Sequence, residues 1–382
     1  MRQTNKSDIY LDNAASTPVD ARVLAEYCKV AKDCWGNPSN VNNNYGVCAK
    51  DILERSRFNI GETLGLDPRG IIFTSGATEA NNLALKGIDC LQNGRCAIAI
   101  SAIEHPCIEQ AAGRLQNMGI TVKMIPVLPN GTVDLNALQQ ALASNPPIKL
   151  VSIMAVNNET GVVQPINQIA DLAHTYGALC HTDATQAIGK APLDFLNKVD
   201  MMSLSGHKIN GPKGIGALWV RPGINMHPML QGGGQESGLR SGTTPVPLVA
   251  ALAKALKIAC KDTKWTQKLY PYLKQLETTI QTQYPEAHVN GLEGLRTASV
   301  SNIAFPYQTP VIDNITGVAL SAASACSCSK PEPSRVLQRM GLPENYAANA
   351  LRVSIGKVNT PKEIQRATTL IMNGIEKSKN LG

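Results

Sequence analysis

Aromatic residues are scarce in this chain: 4 Phe, 9 Tyr and 3 Trp in 382 positions. So few rings argue against a stacking platform for single-stranded nucleic acid. No stretch approaches the roughly 20 consecutive apolar residues that a bilayer-spanning helix needs, so no membrane partner is expected. The opening Met1-Arg2-Gln3-Thr4-Asn5-Lys6 is polar and carries no secretory pattern. Internal repeats and low-complexity tracts are lacking. Cys-x-x-Cys pairs are absent, and the six His do not fall beside cysteines at zinc-finger spacing, so no metal is expected. Neither Gly-x-Gly-x-x-Gly nor the Gly-Lys-Ser/Thr ending of a Walker A loop occurs, which removes the usual support for dinucleotide or nucleoside triphosphate sites.

What is present suits a globular enzyme. Hydrophobic residues make up 43% and charged residues 17%, a balance that builds a core and does not favour disorder. The net charge of +7, from 36 basic against 29 acidic residues, is modest and spread along the chain. It fits an anionic ligand as well as it fits nucleic acid. Ten cysteines invite a disulfide reading, but the length of the chain and the lack of a leader point to a reducing cytoplasm, where all ten stay thiols.

Short apolar runs alternate with amphipathic stretches through the first two thirds. Residues 71–73 precede a helical 78–91, 96–100 precede 107–118, and 149–156 precede 166–176. That alternation predicts βαβ units on a mainly parallel sheet. Residues 248–283 read as one long helix, or two broken near Pro271. Beyond them, 298–305 and 351–355 read as strands and 361–377 as a closing helix with Pro at its start. The expected division is a large domain over 16–260 and a small α+β domain from 1–15 and 261–382.

Chemistry collects where strands end. Thr74-Ser75-Gly76-Ala77-Thr78 follows a strand and opens a helix, a turn whose free N–H groups and positive helix end welcome a phosphate; an ordinary capped helix is the plainer alternative. A second apolar run delivers Asp183 at its end, where open α/β sheets gather ligands. A third run leads into Ser205-Gly206-His207-Lys208, whose lysine is either a surface residue or a Schiff-base lysine. Together these match pyridoxal 5'-phosphate, which needs an anion site, a lysine for its aldehyde and a carboxylate for its pyridine nitrogen. His105 could stack on the ring, and the Asn157–Gly161 segment offers amides or is simply an Asn/Gly turn.

Nearly the whole chain resembles the cysteine desulfurases, class-V aminotransferase-like enzymes of fold-type I. The resemblance is carried by Tyr10-Leu-Asp-Asn-Ala-Ala-Ser-Thr-Pro18, Gly36-Asn-Pro-Ser39, Thr74 to Glu79, Glu104-His105-Pro106, Asn157 to Gly161, Asp183-Ala-Thr-Gln186, Ser205 to Lys208, Arg240-Ser-Gly-Thr243, Ser324-Ala-Cys326 and Leu351-Arg352. It implies an α/β fold: a large domain with a mainly parallel seven-stranded sheet, plus a smaller α+β C-terminal domain. It also implies a pyridoxal 5'-phosphate enzyme that takes sulfur from L-cysteine, leaving alanine and a persulfide on Cys326. Lys208 would hold the cofactor, Asp183 would meet its pyridine nitrogen, Gln186 and Asn158 would lie near its phenolic oxygen, and His105 would stack on it. Ala77, Thr78, Ser205 and His207 would take the phosphate, with Thr243 reaching it from the other subunit of a homodimer. Arg352, with Asn158 beside it, would clamp the substrate carboxylate, a task that suits a planar guanidinium. The sulfur would pass to an acceptor protein serving iron–sulfur cluster assembly, tRNA thiolation or DNA phosphorothioation.

The chain departs from the family pattern at Asn40-Val41-Asn42, where a His is common, at Ala322-Ala323, and at Cys328, which creates a Cys-x-Cys with Cys326. Cys328 reads as a spare residue, a secondary sulfur carrier, a disulfide partner or part of a metal or cluster site. A plain aminotransferase, a selenocysteine-specific lyase or a non-enzymatic scaffold are the competing readings. Lys254, Lys257, Lys261, Lys264 and Lys268 recur at helical steps, which reads as a solvated face and argues against direct nucleic-acid binding.

Overall fold

A computed structural model describes residues 8–89, 96–322 and 332–381. The chain opens with strand β1 (Ile9–Tyr10) and helices α1 (Ala21–Asp33) and α2 (Asn44–Leu64). Local chemistry sets their limits. The Asp20 carboxylate accepts the Arg22 N–H at the start of α1, Asn43 does the same for Gly46 at the start of α2, and Gly65 ends α2 at φ 68°, a left-handed turn that a side chain would strain.

Alternation then follows: β2 (Ile71–Thr74), α3 (Ala77–Lys86), β3 (Ala97–Ser101), α4 (Pro106–Asn117), β4 (Thr121–Ile125), α5 (Leu135–Leu142), β5 (Ile148–Ser152), α6 (Ile166–Thr175), β6 (Leu179–Asp183), β7 (Met201–Ser205) and β8 (Gly216–Val220). These strands form one sheet in the order β2-β8-β7-β6-β5-β3-β4. Only β8 runs against its neighbours, so the sheet is mainly parallel and seven-stranded, as expected. All of its strands but the edge strand β4 are buried on both faces, which explains why they read as unbroken apolar runs.

Helices α7 (Val246–Lys261) and α8 (Lys264–Gln283) correct the reading of 248–283. The break falls at Asp262-Thr263, and Pro271 lies inside α8. Pro271 is exposed, so water can take the carbonyl that its missing N–H leaves unpaired. The break has a packing cause: α7 buries Leu252 and Leu256 among residues of α1, α2 and the sheet, whereas α8 buries Leu269, Leu273 and Leu276 in a separate core.

That second core surrounds a four-stranded sheet. The remaining elements are β9 (His288–Val289), β10 (Val300–Ala304), β11 (Val318–Ala319), β12 (Ser321–Ala322), α9 (Arg335–Arg339), α10 (Glu344–Ala348), β13 (Ala350–Ser354) and α11 (Pro361–Asn380). Strands β12-β13-β10-β9 form the sheet, and β1 pairs with β11, which brings Ile9 and Leu11 into this core. The division at 16–260 remains our proposal, supported by the two cores that α7 and α8 serve. This is the fold-type I arrangement that the resemblance implies.

One sequence expectation is overturned. Cys34 and Cys48 form a disulfide, with Cα atoms 6.1 Å apart. The residues after α1 meet the first turn of α2, where Gly36 approaches the Tyr45–Gly46 backbone and Trp35 stacks on Tyr45, and this brings the two sulfurs together. Their separation of 14 residues gives no such signal in sequence. Among the described residues, no helix is long and apolar enough to cross a membrane.

Candidate active site

Strands β2, β3, β5, β6 and β7 share one direction, and their C-terminal ends open onto a cavity of about 560 Å³. Its floor is the end of β6, where Asp183 is buried. Asp183 Oδ2 accepts from Asn81 Nδ2 at 2.7 Å, and Oδ1 from the Thr185 N–H at 2.9 Å. Both oxygens are thereby oriented, and a carboxylate held this way stays a fixed acceptor.

Lys208 leaves β7 through the turn Gly206–Lys208 and reaches back to the N-terminal segment, donating to the carbonyls of Ala14 and Ala15 at 2.7 Å each. Across the cavity, α3 begins at Ala77 with no side chain capping its first N–H groups. Those donors, with Thr78, Ser205 and His207 on the same wall, are what an anionic group requires. Close backbone approach makes the turn tight: a Cβ on Gly216 would come within 2.7 Å of Gly76.

The charge balance also favours an anion. Lys208, Lys213 and Arg352 line the cavity, and Lys190 stands beside it with Nζ 2.9 Å from Gln186 Oε1. Burial, then the charges of Lys208 and Arg352, push the Lys190 ammonium down to about 7. Burial, then Lys208, Lys213 and Lys190, push His207 down to about 4. A phosphate at the α3 N-terminus would relieve this crowding of positive charge.

Arg352, on β13, is buried. One Nη donates to Asp12 Oδ1 at 2.8 Å and to Ser321 at 3.0 Å, and the other to the Asn158 carbonyl at 3.2 Å. Its Nε has no hydrogen-bond partner, although it is shut away from water. A buried guanidinium N–H without a partner is costly, and a carboxylate entering the cavity is a suitable acceptor. Asn157, in contrast, serves the turn: its Oδ1 accepts the N–H groups of Glu159 and Thr160. The turn reading of that segment fits Asn157, and Asn158 lines the cavity.

His105 sits at the start of α4 and caps it, its Nδ1 accepting the Cys107 N–H at 3.2 Å. Burial holds its imidazole below the usual range. Glu104, next to it, is fully enclosed; Ser101 and the Met154 N–H donate to Oε1, and Oε2 has no partner. Burial pushes this carboxyl up to about 8. Folding therefore takes up a proton at Glu104 between about pH 4.5 and 8, and its contribution to stability falls as pH rises through that window. A Glu104→Gln variant, which cannot titrate there, should gain stability relative to wild type from pH 5 to 8 and level off above. Urea unfolding of both proteins across that range checks this; a pH-independent difference would refute it.

The structure thus brings Ala77, Thr78, His105, Asn158, Asp183, Gln186, Ser205, His207, Lys208 and Arg352 to one cavity. Thr243 is exposed and does not line it. Cys326 and Cys328 lie outside the described residues. Reading the sequence missed Asn81, Cys107, Lys190 and Asp12. Cys107 had a signal, since it follows the capping His105 by two positions in the first helical turn. The others are ordinary residues until the fold assembles their partners.

Comparison with known proteins agrees with this geometry. The family described as aminotransferase class-V matches residues 9–367. Cysteine desulfurase IscS of Rickettsia massiliae is 39% identical over 383 residues, covering 98% of this chain and 92% of that one. A NifS-like protein from Rickettsia africae superposes with a TM-score of 0.86 at 31% identity, over 97% of this chain and 99% of the other. SspA, solved in complex with cysteine, gives 0.79 at 34% identity, over 92% of this chain and all of that one.

Proposed function

The chain belongs to the class-V aminotransferase family and within it is a cysteine desulfurase; from that premise we propose that its cavity binds pyridoxal 5'-phosphate on Lys208 and takes sulfur from L-cysteine. The observation that carries the reading is the cavity itself, where Lys208, Asp183, His105, uncapped helix N–H groups and a guanidinium lacking one acceptor converge.

The residues fit the cofactor. Ala77, Thr78, Ser205 and His207 would hold its phosphate, Asp183 its pyridine nitrogen, Gln186 and Asn158 the side bearing its phenolic oxygen, and His105 its face. Once bound, pyridoxal phosphate serves as an electron sink for charge that develops at the substrate's Cα. Arg352 binds the substrate carboxylate through its guanidinium, and so fixes which bond at Cα faces Lys208. Lys208 Nζ takes the Cα proton. The Cys326 thiolate then attacks the substrate sulfur: an S–S bond forms, the substrate's C–S bond breaks, and the carbon skeleton leaves as alanine. The equation balances as cysteine plus enzyme thiol giving alanine plus enzyme persulfide.

In the homodimer that the resemblance implies, Thr243, exposed and outside its own cavity, would reach the second copy's phosphate site. An acceptor protein would receive the sulfur in the cytoplasm, a compartment that fits the thiols of Cys28, Cys107, Cys180 and Cys260 among the described residues. SspA was solved with cysteine, which supports L-cysteine as the substrate here.

With L-cysteine, added pyridoxal phosphate and a thiol reductant, alanine and sulfide should appear in equal amounts. Amino transfer to a keto acid without sulfide would overturn the reading in favour of an aminotransferase. Turnover of selenocysteine with cysteine inert would favour a selenocysteine lyase.

A further inference from the structure

Cys107 lines the same cavity, yet no role above uses it. Its Sγ lies 3.0 Å from His105 Nδ1 and 3.3 Å from Asn81 Nδ2. Asn81 Nδ2 also lies 2.7 Å from Asp183 Oδ2. Direction can be assigned along this chain from its ends. The carboxylate of Asp183 only accepts, so Asn81 must turn its amide nitrogen toward it. This leaves Asn81 Oδ1 buried without a partner, an orphan that the pull of Asp183 explains. The second hydrogen on Nδ2 points to the sulfur of Cys107. At the other end, the backbone N–H of Cys107 donates to His105 Nδ1, so that nitrogen carries no proton in the neutral ring. The Cys107 S–H, 3.0 Å away, can share the lone pair of His105 Nδ1 with that N–H, the Thr78 hydroxyl being a further neighbour of the thiol.

We propose that Cys107 is a positioning residue which, with Asn81, links Asp183 to His105 and holds the imidazole neutral with its proton on Nε2. The proposal deepens the cofactor-site reading given above and rests on it for its meaning in the reaction. A ring so held presents a hydrogen-bond donor at Nε2 and cannot take a proton at Nδ1 without giving up two donors.

The environment keeps the thiol in the required form. Burial, then the charge of Asp183, pushes Cys107 up to about 12, against the smaller opposing pull of Asn81 and Thr78. It therefore remains S–H at neutral pH and is a poor nucleophile, which keeps it from competing for the substrate's sulfur. The charged groups that face His105 and Cys107 are Asp183 from β6, Lys208 from the turn after β7, Arg335 from α9 and Glu104 from the loop before α4. None of them is altered by substituting Cys107.

The test uses the full chain without cofactor, labelled with ¹⁵N-histidine, with the His105 signals identified by their loss in His105→Gln. Wild type should show a neutral His105 protonated on Nε2 and titrating below the ordinary imidazole range. Cys107→Ala removes a donor that favours the neutral ring, so the titration should move up by about half a unit to one unit. Cys107→Ser keeps a donor and should restore most of the shift. A neutral ring protonated on Nδ1 in wild type, or identical titrations in all three proteins, would overturn the proposal. The wild-type measurement stands even where a variant fails to fold. Because no turnover is read, a protein that releases no sulfur from cysteine but shows these shifts would sink the proposed function and leave this inference standing.

Discussion

Lys208→Ala is expected to yield a folded protein that forms no borohydride-reducible bond with pyridoxal phosphate and turns over cysteine at least about 10³-fold more slowly. Two tasks are lost together, the covalent hold on the cofactor and the amine that carries the Cα proton. The fold should survive, because the hydrogen bonds of Lys208 to the carbonyls of Ala14 and Ala15 lie at the cavity and outside the two cores, and the crowding of positive charge in the cavity eases when it goes. Lys208 is also a charge that depresses both Lys190 and His207. In the variant both groups should titrate higher than in wild type, which NMR titration without cofactor can read. Mass spectrometry after borohydride reduction and digestion decides the main point. An adduct still present in Lys208→Ala would overturn the assignment, and an adduct on Lys190 or Lys213 would transfer the role to that amine.

Much of this site could be read in the sequence because the physics that places it is local. A strand that ends in small residues and opens a helix leaves free N–H groups at the helix start, so the turn at 74–78 was legible as soon as the run 71–73 was. The same holds for Asp183 and Lys208, each carried at the end of a buried strand. Residues whose work depends on tertiary neighbours were not legible. Asn81 looks like any helical Asn until β6 brings Asp183 within 2.7 Å, and Lys190 looks like a surface lysine until Gln186, Lys208 and Arg352 surround it. Pro271 misled in the other direction. Its power to break a helix is real in isolation, but an exposed proline in a helix that buries its opposite face costs less than moving Leu273 and Leu276 out of their core. The Cys34–Cys48 pair escaped because compartment arguments speak for whole proteins, whereas the meeting of two sulfurs depends on one turn.

Cys326→Ala should keep the cofactor's colour and its borohydride-reducible bond while losing sulfide release by roughly 10³-fold or more. Loss of a nucleophile leaves binding intact, so the defect should fall on turnover and not on cofactor affinity. The described residues on either side support the assignment. The Ser321 hydroxyl accepts from Arg352 at 3.0 Å, and after residues 323–331 the chain is fastened again where Ser334 donates to Glu159 at 2.5 Å and Arg335 to the Glu104 carbonyl at 2.8 Å. The described residues that flank Cys326 are thus held at Arg352 on one side and at Glu159 and Glu104 on the other. Rescue by another thiol in the cavity is not expected, since Cys107 is held as S–H. Cys328 is the competitor that matters, being two positions away. Cys328→Ala should release sulfide at close to the wild-type rate, and tryptic mapping after a single turnover should find the added sulfur on Cys326. Full activity in Cys326→Ala with loss in Cys328→Ala would move the nucleophile by two residues; equal loss in both would mean that sulfur must visit each cysteine in turn.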